Sequence, residues 1–496
     1  MRSVIQMEEK KKRINSPEER LVKERQDKLK LWMEKEENPY LTRFIPRHTT
    51  GWIAKKCEAV NSGEKTDVKV EIAGRIITLR GHGKTSFADI RDAEGKIQIY
   101  AREETLKERY TLFKKLDLGD IMGVKGRVFR TRTGELTVEV LDFLLLAKSL
   151  RPLPEKWHGL QDVELRYRKR YLDLLSNPDT KKIFLDRGAI IKFIRDFLDK
   201  KGFLEVETPM MQPIPGGATA RPFRTHHHAL GENLYLRIAP ELYLKKLVVG
   251  GIEKVYELNK NFRNEGMDRL HNPEFTMLEV YSAYSSYEEM MKLTEELVCE
   301  VASKLKGTLK ISYQGHEINL SPPWRRITFE RALKEIGGIK LDYQDTSQLR
   351  KTAAELGLEV EGLRDDQIIE HLLDHQVAPK LIQPTFVIDY PSQTSPLARR
   401  KKEDSALIER FEIFIGAEEL GNAYSELNDP IDQRKRMLEV KGESQSLDED
   451  FLEALEYGMP PTGGLGIGID RLVMLLTDSA SIRDVILFPQ MRPKKR

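Results

Sequence analysis

Cysteine is nearly absent from this sequence of 496 residues, which contains only Cys57 and Cys299. The two stand far apart and outside any C-x-x-C pair, so the sequence lacks both the ligand spacing of a zinc ribbon and the pairs of a disulfide framework. No apolar run approaches the roughly 18 residues that a membrane-spanning helix needs. We therefore expect a soluble protein of a reducing compartment, with no membrane partner.

A large net charge is also lacking, because 82 Lys and Arg nearly balance 79 Asp and Glu and leave a formal charge of +3. A nucleic-acid binder with this balance would have to concentrate its positive charge on one face. The N-terminus mixes Glu with Lys and Arg and has no apolar core, so it fits neither a secretory signal peptide nor an acid-poor transit peptide. These features predict a cytoplasmic protein.

The first part of the chain changes pattern near residue 68. Residues 1–67 are predicted to be a helical extension, in which Ser16-Pro17-Glu18-Glu19 forms a capping box with proline at the first helical position. Residues 68–149 contain five short alternating runs separated by Gly-containing turns. Five such strands in about eighty residues predict a small closed barrel.

Residues 150–165 contain a Pro-rich stretch and are predicted to link the barrel to a second domain, residues 166–496. In that domain a helix is predicted from about Lys181 to Lys201, followed by a short strand that Pro209 closes. Amphipathic helical patterns between about 326 and 384 predict a helical insertion.

The second domain is organised around the stretch from Asn261 to Glu279, N-F-R-N-E-G-M-D-R-L-H-N-P-E-F-T-M-L-E. Apolar runs on both sides predict a strand, a loop and a strand, with Arg263 and Glu265 on one face of the first strand. A guanidinium fork, a carboxylate and the aromatic ring of Phe275 suit a nucleoside triphosphate. A surface hairpin with ordinary ion pairs would use the same residue types, so the residues alone leave both interpretations open.

F-R-N-E followed by H-N-P-E-F-T-M-L-E resembles motif 2 of the class II aminoacyl-tRNA synthetases, in the wording of their lysine-specific members. The helix and strand before Pro209 resemble motif 1, which builds a homodimer interface. Gly463 to Leu472, a glycine-rich strand entering a helix with Arg471 in its first turn, resembles motif 3. With the barrel, which resembles an OB-fold anticodon-binding domain, the resemblance covers about residues 68–489.

The resemblance implies an α+β fold, in which a five-stranded OB-fold barrel precedes a catalytic domain built on an antiparallel sheet flanked by helices. It implies ATP-dependent activation of L-lysine to lysyl-adenylate and transfer to the 3′ end of tRNA(Lys). Neither step requires a protein nucleophile, so positioning and positive charge around the phosphates would carry the catalysis.

The residues implied in ATP binding are Arg263, Glu265, His271, Asn272, Phe275, Glu412, Glu419 and Arg471. Arg263 and Arg471 are the implied catalytic residues: Arg263 would hold the α-phosphate and the lysine carboxylate, and Arg471 would enclose the adenine with Phe275. Glu265 would take the adenine amino group, and His271 and Asn272 would lie by the outer phosphates. Glu412 and Glu419 would hold Mg²⁺, which prefers oxygen ligands and bridges phosphates.

Lysine recognition has a physical requirement, because an ammonium group withdrawn from water must meet a carboxylate. The lysine-binding residues that the resemblance implies are Gly216, Glu241, Tyr281, Asn422, Tyr424 and Glu426. Glu426 with Tyr281 would take the ε-ammonium, Glu241 with the Gly216 backbone the α-amino group, and Asn422 the α-carboxylate. Tyr424 stands where other members carry Phe.

The anticodon contacts implied in the barrel are Phe87, Gln98 and Glu135. Phe87 would stack on an unpaired base and Gln98 would read a base edge in the same groove. Without the resemblance, Phe87 is better explained as part of the barrel core.

Three other functions deserve comparison. A non-catalytic RNA-binding protein would not need Arg471, Glu412 and Glu419, and a paralogue that lysylates a protein would be expected to lack the barrel. An aspartate- or asparagine-specific synthetase would want a cation or an amide where this chain has Glu426. The chain departs from the common bacterial pattern at Leu270, which separates Arg269 from His271.

Overall fold

The computed structural model describes residues 16–35, 38–41, 43–154, 160–218, 220–340, 345–440 and 447–493. The chain divides into two compact units, Met1–Gly159 and Leu160–Arg496.

Among the described residues of the first unit, the helices Pro17–Lys35 and Thr50–Lys56 precede the barrel. The predicted capping box is present, because Glu19 N donates to Ser16 Oγ and Ser16 N donates to Glu19 Oε2, each at 3.2 Å. Residues 1–15 of the predicted extension lie outside the described residues.

Five strands close into a barrel in the order β1-β2-β3-β5-β4, which confirms the predicted fold. Their bounds are β1 Lys65–His82, β2 Thr85–Arg91, β3 Lys96–Arg102, β4 Ile121–Arg130 and β5 Leu136–Ala147, with the short helices Glu103–Leu106 and Tyr110–Phe113 between β3 and β4. β1 thus begins at Lys65 rather than at Val68. Along β3 the buried residues Ile97, Ile99 and Ala101 fill the barrel while the residues between them face outward.

The second unit is built on an eight-stranded sheet in the order β14-β15-β16-β17-β18-β11-β10-β6. Its strands are β6 Leu204–Glu205, β10 Lys254–Phe262, β11 Glu274–Ala283, β14 Arg325–Thr328, β15 Thr385–Pro391, β16 Leu407–Ile415, β17 Glu418–Ser425 and β18 Thr462–Gly468. A three-stranded sheet contains β7 Met211–Gln212, β8 Arg224–His227 and β9 Glu232–Leu236, and a hairpin contains β12 Lys310–Tyr313 and β13 His316–Asn319. The sheet is antiparallel except where β14 meets β15 and β6 meets β10.

The helices of the second unit are Val163–Arg168, Arg170–Ser176, Pro178–Lys200, Glu241–Val249, Tyr287–Lys306, Phe329–Arg331, Thr346–Glu355, Asp365–Gln376, Pro430–Val440, Glu449–Glu456, Ile469–Thr477 and Ile482–Val485. Tyr287–Lys306 begins with a capping box of Ser286 and Glu289 and ends at Gly307 in the left-handed conformation. No helix of the described ranges is long and apolar enough to cross a membrane.

One face of the large sheet packs on helices, and the alternation along each central strand decides which residues reach it. Leu278 and Val280 of β11, and Leu465 and Ile467 of β18, join the apolar core together with Leu297 of the helix Tyr287–Lys306. The residues between them in sequence therefore point to the opposite face, where the site described below lies.

The segment predicted as a helical insertion lies between β14, at the edge of the sheet, and its neighbour β15. The helices Thr346–Glu355 and Asp365–Gln376 pack on a separate apolar cluster that includes Leu349, Ile369 and Leu373. Residues 341–344, which fall within the predicted insertion, lie outside the described residues.

Candidate active site

The open face of the sheet presents two transverse rows of residues. One row runs through Glu279, Gly466, Asn422 and Glu412, and the other through Tyr281, Gly464, Tyr424 and Arg410. Directly paired residues of neighbouring strands project to the same face, so each row places its side chains side by side. Because β18 contributes only glycines to the two rows, no side chain fills their centre. Polar side chains from β11, β16 and β17 surround that space.

A first cavity lies over the nucleotide-binding residues that the sequence predicts. We call it the Phe275 cavity, and its walls include Arg263, Glu265, His271, Asn272, Phe275, Glu419 and Arg471. The guanidinium carbon of Arg263 lies 5.2 Å from the centre of the Phe275 ring. All of the predicted ATP-binding residues except Glu412 therefore meet in this cavity.

The local structure around Arg263 differs from the expectation. β10 ends at Phe262, so Arg263 and Glu265 belong to the loop after the strand rather than to one face of it. The ladder to the returning chain still continues for one step, because Arg263 N donates to Pro273 O at 2.9 Å. The two side chains share the cavity because of this loop and not because of strand alternation.

Arg471 is held by three groups of this cavity. Its Nη1 atom donates to Glu419 O at 2.6 Å and lies 3.1 Å from Glu419 Oε2, and its Nη2 atom lies 3.3 Å from His271 Nε2. Asp268 contacts His271 Nδ1 at 2.8 Å from the other side. Burial disfavours the charge on Glu419, but Arg471 outweighs it and lowers the pKa of that carboxyl.

Asn272 lines the Phe275 cavity, but its amide is bonded to the backbone. Its Nδ2 atom donates to Glu274 O at 2.5 Å and its Oδ1 atom accepts from Gln490 N at 3.2 Å. In this conformation Asn272 supports the loop.

A second cavity adjoins the first and shares Arg263, Glu419 and Asn422 with it. We call it the Glu426 cavity. It contains all six residues that the sequence predicts for lysine binding, namely Gly216, Glu241, Tyr281, Asn422, Tyr424 and Glu426. Tyr424 OH donates to Glu241 Oε1 at 2.7 Å, a bond that a phenylalanine at this position could not form.

Glu279 and Lys245 are among the charged residues of this region that were not predicted from the sequence. Glu279 lines the Glu426 cavity, where Tyr281 OH donates to its Oε2 atom at 3.1 Å. Burial, and to a smaller extent the negative charge of the nearby Glu241, raises the pKa of Glu279 to about 8. Lys245 is completely buried and forms ion pairs with Glu241 and Glu426. The sequence near each residue indicated its position. Glu279 lies two residues before Tyr281 and so shares its strand face, and Lys245 lies one helical turn after Glu241 and so shares its helix face.

Carboxylates are also concentrated in the part of the Glu426 cavity near Glu419, which both cavities share. Glu412 accepts from Tyr390 OH at 2.8 Å and from Arg410 Nη2 at 2.6 Å, and the insertion helix Asp365–Gln376 adds Asp374 to the wall. Burial raises the pKa of Glu412 to about 8 although Arg410 opposes the rise, and burial with the nearby Glu419 raises the pKa of Asp374 to about 7. A cation at this place would relieve their repulsion.

The carboxylates Glu412 and Glu419 suit a Mg²⁺ ion that a nucleotide also binds. Glu412 and Glu419 offer two carboxylates beside Arg263, and Mg²⁺ is commonly held by one or two carboxylates together with substrate phosphates. Within the described ranges, no three His, Cys, Asp or Glu side chains are grouped to hold a metal ion by themselves. The residues therefore fit a metal ion that is bound together with a nucleotide.

The predicted anticodon residues lie on the outside of the barrel. Phe87 is half-buried, and its ring stacks on that of Tyr100 with centres 4.6 Å apart, so Phe87 is a surface residue and not part of the core. Gln98 precedes Tyr100 by two residues on the same face of β3. Thr137 Oγ1 lies 3.0 Å from Gln98 Oε1 and 3.1 Å from Glu135 O, which connects the other two predicted contacts.

Pro209 is exposed in the segment between β6 and β7. Exposed apolar side chains lie near it in the sequence, with Leu204 at 52% and Met211 at 56% of full exposure.

Comparison with known proteins identifies a family for each of the two units. A family model described as tRNA synthetases class II (D, K and N) matches residues 162–492, and one described as an OB-fold nucleic acid binding domain matches residues 70–146. The first match alone covers more than half of the chain, and it defines the class as that of the class II tRNA synthetases.

Individual relatives are more specific. The lysine–tRNA ligase of Carboxydothermus hydrogenoformans is 58% identical over 484 residues, which cover 96% of this chain and 98% of the relative. The enzymes of the same name from Moorella thermoacetica and Clostridium novyi are 55% and 51% identical, each over 96% of this chain and over 98% and 95% of the relative. The chain therefore belongs to the lysine–tRNA ligase family.

Proposed function

We propose that this protein activates L-lysine with ATP, forming lysyl-adenylate and pyrophosphate, and then transfers the lysyl group to the 3′ end of tRNA(Lys). The observation that carries the proposal is the meeting of two unlike cavities at Arg263. One has aromatic and cationic walls suited to a nucleotide, and the other has buried carboxylates suited to an amino acid with a second ammonium group.

Arg263 is proposed to hold the reacting groups of the first step. The lysine carboxylate attacks the α-phosphorus of ATP, and negative charge builds up on the phosphate oxygens as pyrophosphate leaves. A guanidinium that faces both cavities can bind the attacking carboxylate and the α-phosphate together. No protein nucleophile takes part in this step.

The remaining ATP contacts are proposed on the walls of the Phe275 cavity. Phe275 and Arg471 would enclose the adenine ring, Glu265 would accept from its amino group, and His271 and Asn272 would lie near the outer phosphates. Glu412 and Glu419 would hold Mg²⁺, which when bound neutralises phosphate charge.

The lysine contacts are proposed on the walls of the Glu426 cavity. Glu426 and Tyr281 would bind the ε-ammonium, Glu241 and the Gly216 backbone the α-amino group, and Asn422 the α-carboxylate. Because Asn422 also borders the Phe275 cavity, this orientation directs the α-carboxylate towards the nucleotide.

The other partners are proposed from the family. Phe87, Gln98 and Glu135 would contact the tRNA(Lys) anticodon, with Phe87 stacking on a base. The segment around Pro209 would contribute to a homodimer interface, which sedimentation can test. The cytoplasm, where tRNA is charged for translation, is the compartment that this function implies.

The proposal is tested by ATP–pyrophosphate exchange without tRNA, measured with each of the twenty amino acids. We expect exchange with lysine alone, and we expect Glu426→Gln to lose this exchange. Glu409→Gln is the matched control and should keep it, because the Glu409 side chain on β16 pairs with Arg399 outside the cavities. Exchange with aspartate or asparagine instead would favour the related synthetases. No exchange in folded protein supplied with Mg²⁺ would overturn the proposed activity.

A further inference from the structure

Lys245 connects the two carboxylates that are proposed to bind the lysine substrate. It lies on the helix Glu241–Val249, where its Nζ atom is 2.6 Å from Glu241 Oε1, one turn earlier. The same Nζ atom forms an ion pair with Glu426 Oε2, which follows β17 in a distant part of the sequence. The Lys245 side chain is 0% exposed, so this ammonium has no access to bulk water.

Lys245 occupies one oxygen of each carboxylate and leaves the other available. Glu241 Oε1 accepts from Lys245 and from Tyr424 OH, whereas Glu241 Oε2 bonds to none of the residues that the structure describes. Glu426 Oε1 is buried and also lacks a hydrogen-bond donor among them. Glu241 and Glu426 line the cavity, while Lys245 lies behind them and is not part of its wall. The oxygens without a partner among the described residues, Glu241 Oε2 and Glu426 Oε1, are therefore the ones left for a bound amino acid.

Electrostatics favours this division of roles. Burial raises the pKa of Glu426 well above its ordinary value, Glu241 and Glu279 add to the rise, and the Lys245 ammonium limits it. Burial also works against the charge on Lys245, but Glu241 and Glu426 outweigh it and raise the pKa of the ammonium. A cation that bridges two buried carboxylates reduces their mutual repulsion and the cost of keeping both ionised.

The charges also match the proposed substrate. When both carboxylates are ionised, they leave a net charge of −1 together with the Lys245 ammonium, and lysine, with two ammonium groups and one carboxylate, carries +1. A neutral amino acid would leave the negative charge uncompensated in a buried site. Without Lys245 the group would carry −2 or would have to take up a proton.

We propose that Lys245 is a positioning residue for lysine recognition: its ammonium group bridges Glu241 and Glu426, favours their ionised forms and leaves one oxygen of each to the amino acid. This inference rests on the proposed lysine-activating function. Lys245 acts through the two carboxylates and does not itself touch the substrate.

The test compares Lys245→Met with Lys246→Met in the full-length protein, by lysine- and ATP-dependent pyrophosphate exchange. Lys246 is the matched control, because it is the next residue on the same helix and pairs with neither Glu241 nor Glu426. Its ammonium pairs with Asp450 and lies 3.9 Å from Asp448 Oδ1 at the cavity wall. We expect Lys245→Met to raise the KM for lysine about 30-fold or more, as the breaking of a buried charge pair does, with the KM for ATP within about 3-fold of the wild-type value. Lys246→Met should leave both constants near wild type.

The pH profile separates this role from a loss of packing. The ionisable groups that face Glu426 are Lys245, Glu241, Glu279, Tyr281 and Tyr424. Removing the ammonium should move the acidic limb of kcat/KM for lysine to higher pH, whereas a packing defect would lower activity at every pH. Lys245→Arg, which keeps the positive charge, should recover part of the lysine affinity.

Lys245→Gln covers the case in which the methionine variant does not fold, because an amide can still donate to a carboxylate without carrying charge. The inference is overturned if a folded neutral variant keeps the wild-type KM for lysine and the wild-type pH profile while the wild-type protein exchanges with lysine. Absence of lysine-dependent exchange in the wild type and in Lys246→Met would instead overturn the proposed function, and the inference with it.

Discussion

Glu426 lies directly over Gly464, and a methyl group at Gly464 would overlap Glu426 Oε1 and come within 2.7 Å of Tyr281 Cε1. The backbone of Gly464 is not left-handed, so the position needs a glycine for space and not for its conformation. The lack of a side chain at Gly464 on β18 is thus what leaves space for the Glu426 carboxylate in the part of the cavity proposed to bind the lysine ε-ammonium.

Gly464→Ala is therefore expected to displace the Glu426 carboxylate and raise the KM for lysine about 10-fold or more, with a smaller change in the KM for ATP. Steady-state pyrophosphate exchange measures both constants. Gly188→Ala is the matched control, since a methyl group there meets no atom within 4 Å. A wild-type KM for lysine in folded Gly464→Ala would show that Glu426 does not bind the substrate from this position.

Much of this arrangement could be predicted because it depends on local sequence patterns. Alternation along β11 and β18 separates the core residues Leu278 and Ile467 from the cavity residues Tyr281 and Gly464. A contiguous motif also places Arg471 at the first turn of the helix that follows β18. Such short-range relationships survive folding unchanged.

Relationships between distant segments could not be predicted in the same way. The ion pair of Lys245 with Glu426 joins a helix to a strand end, and nothing near Lys245 in the sequence indicates that partner. The position of Leu270 between Arg269 and His271 shows the same limit. In the structure Leu270 turns inward against the core, while Arg269 forms an ion pair with Glu418 and donates to Ala480 O at 3.2 Å. The path of the loop between β10 and β11 decides whether Arg269 or Leu270 faces the cavity, and the sequence pattern does not reveal that path.

Glu279 should make stability depend on pH. Its ordinary pKa of 4.5 applies in the unfolded chain, and burial raises the pKa of Glu279 to about 8 in the folded protein. Between these values the folded state holds a proton that the unfolded state has lost, so the stabilising contribution present below pH 4.5 declines as the pH rises towards 8.

We expect Glu279→Gln, which resembles the protonated acid, to gain stability relative to wild type between pH 5 and 8.5, by on the order of 2 kcal/mol. Thermal unfolding of the ligand-free protein at several pH values measures this difference. Glu274→Gln, an exposed change on the same strand, is the control. Parallel curves for wild type and Glu279→Gln would mean that Glu279 is ionised in the folded protein.

Arg471 should be replaceable only by a residue with the same fork of donors. Its two terminal nitrogens reach Glu419 and His271 at once, which a lysine ammonium cannot do from one point. We expect Arg471→Lys to raise the KM for ATP about 10- to 100-fold and to lower kcat. Arg195→Lys, in an exposed pair with Glu205, should leave exchange unchanged. If Arg471→Lys binds ATP normally, Arg471 is not part of the adenine site.

Phe87 should matter for tRNA and not for lysine activation. Its ring rests on Tyr100 at 4.6 Å on the outside of the barrel, where it can stack on an unpaired base. Since such stacking contributes about 1–3 kcal/mol per base, Phe87→Ala should raise the KM for tRNA(Lys) about 5- to 150-fold in aminoacylation while pyrophosphate exchange without tRNA stays at the wild-type rate. Trp52→Ala removes another exposed aromatic ring from the same unit and controls for a general loss of surface packing. Phe87→Trp, which keeps an aromatic face, should charge tRNA nearly as well as wild type. An equal loss in both assays would point to damaged folding, and an unchanged KM for tRNA would exclude Phe87 from the anticodon contact.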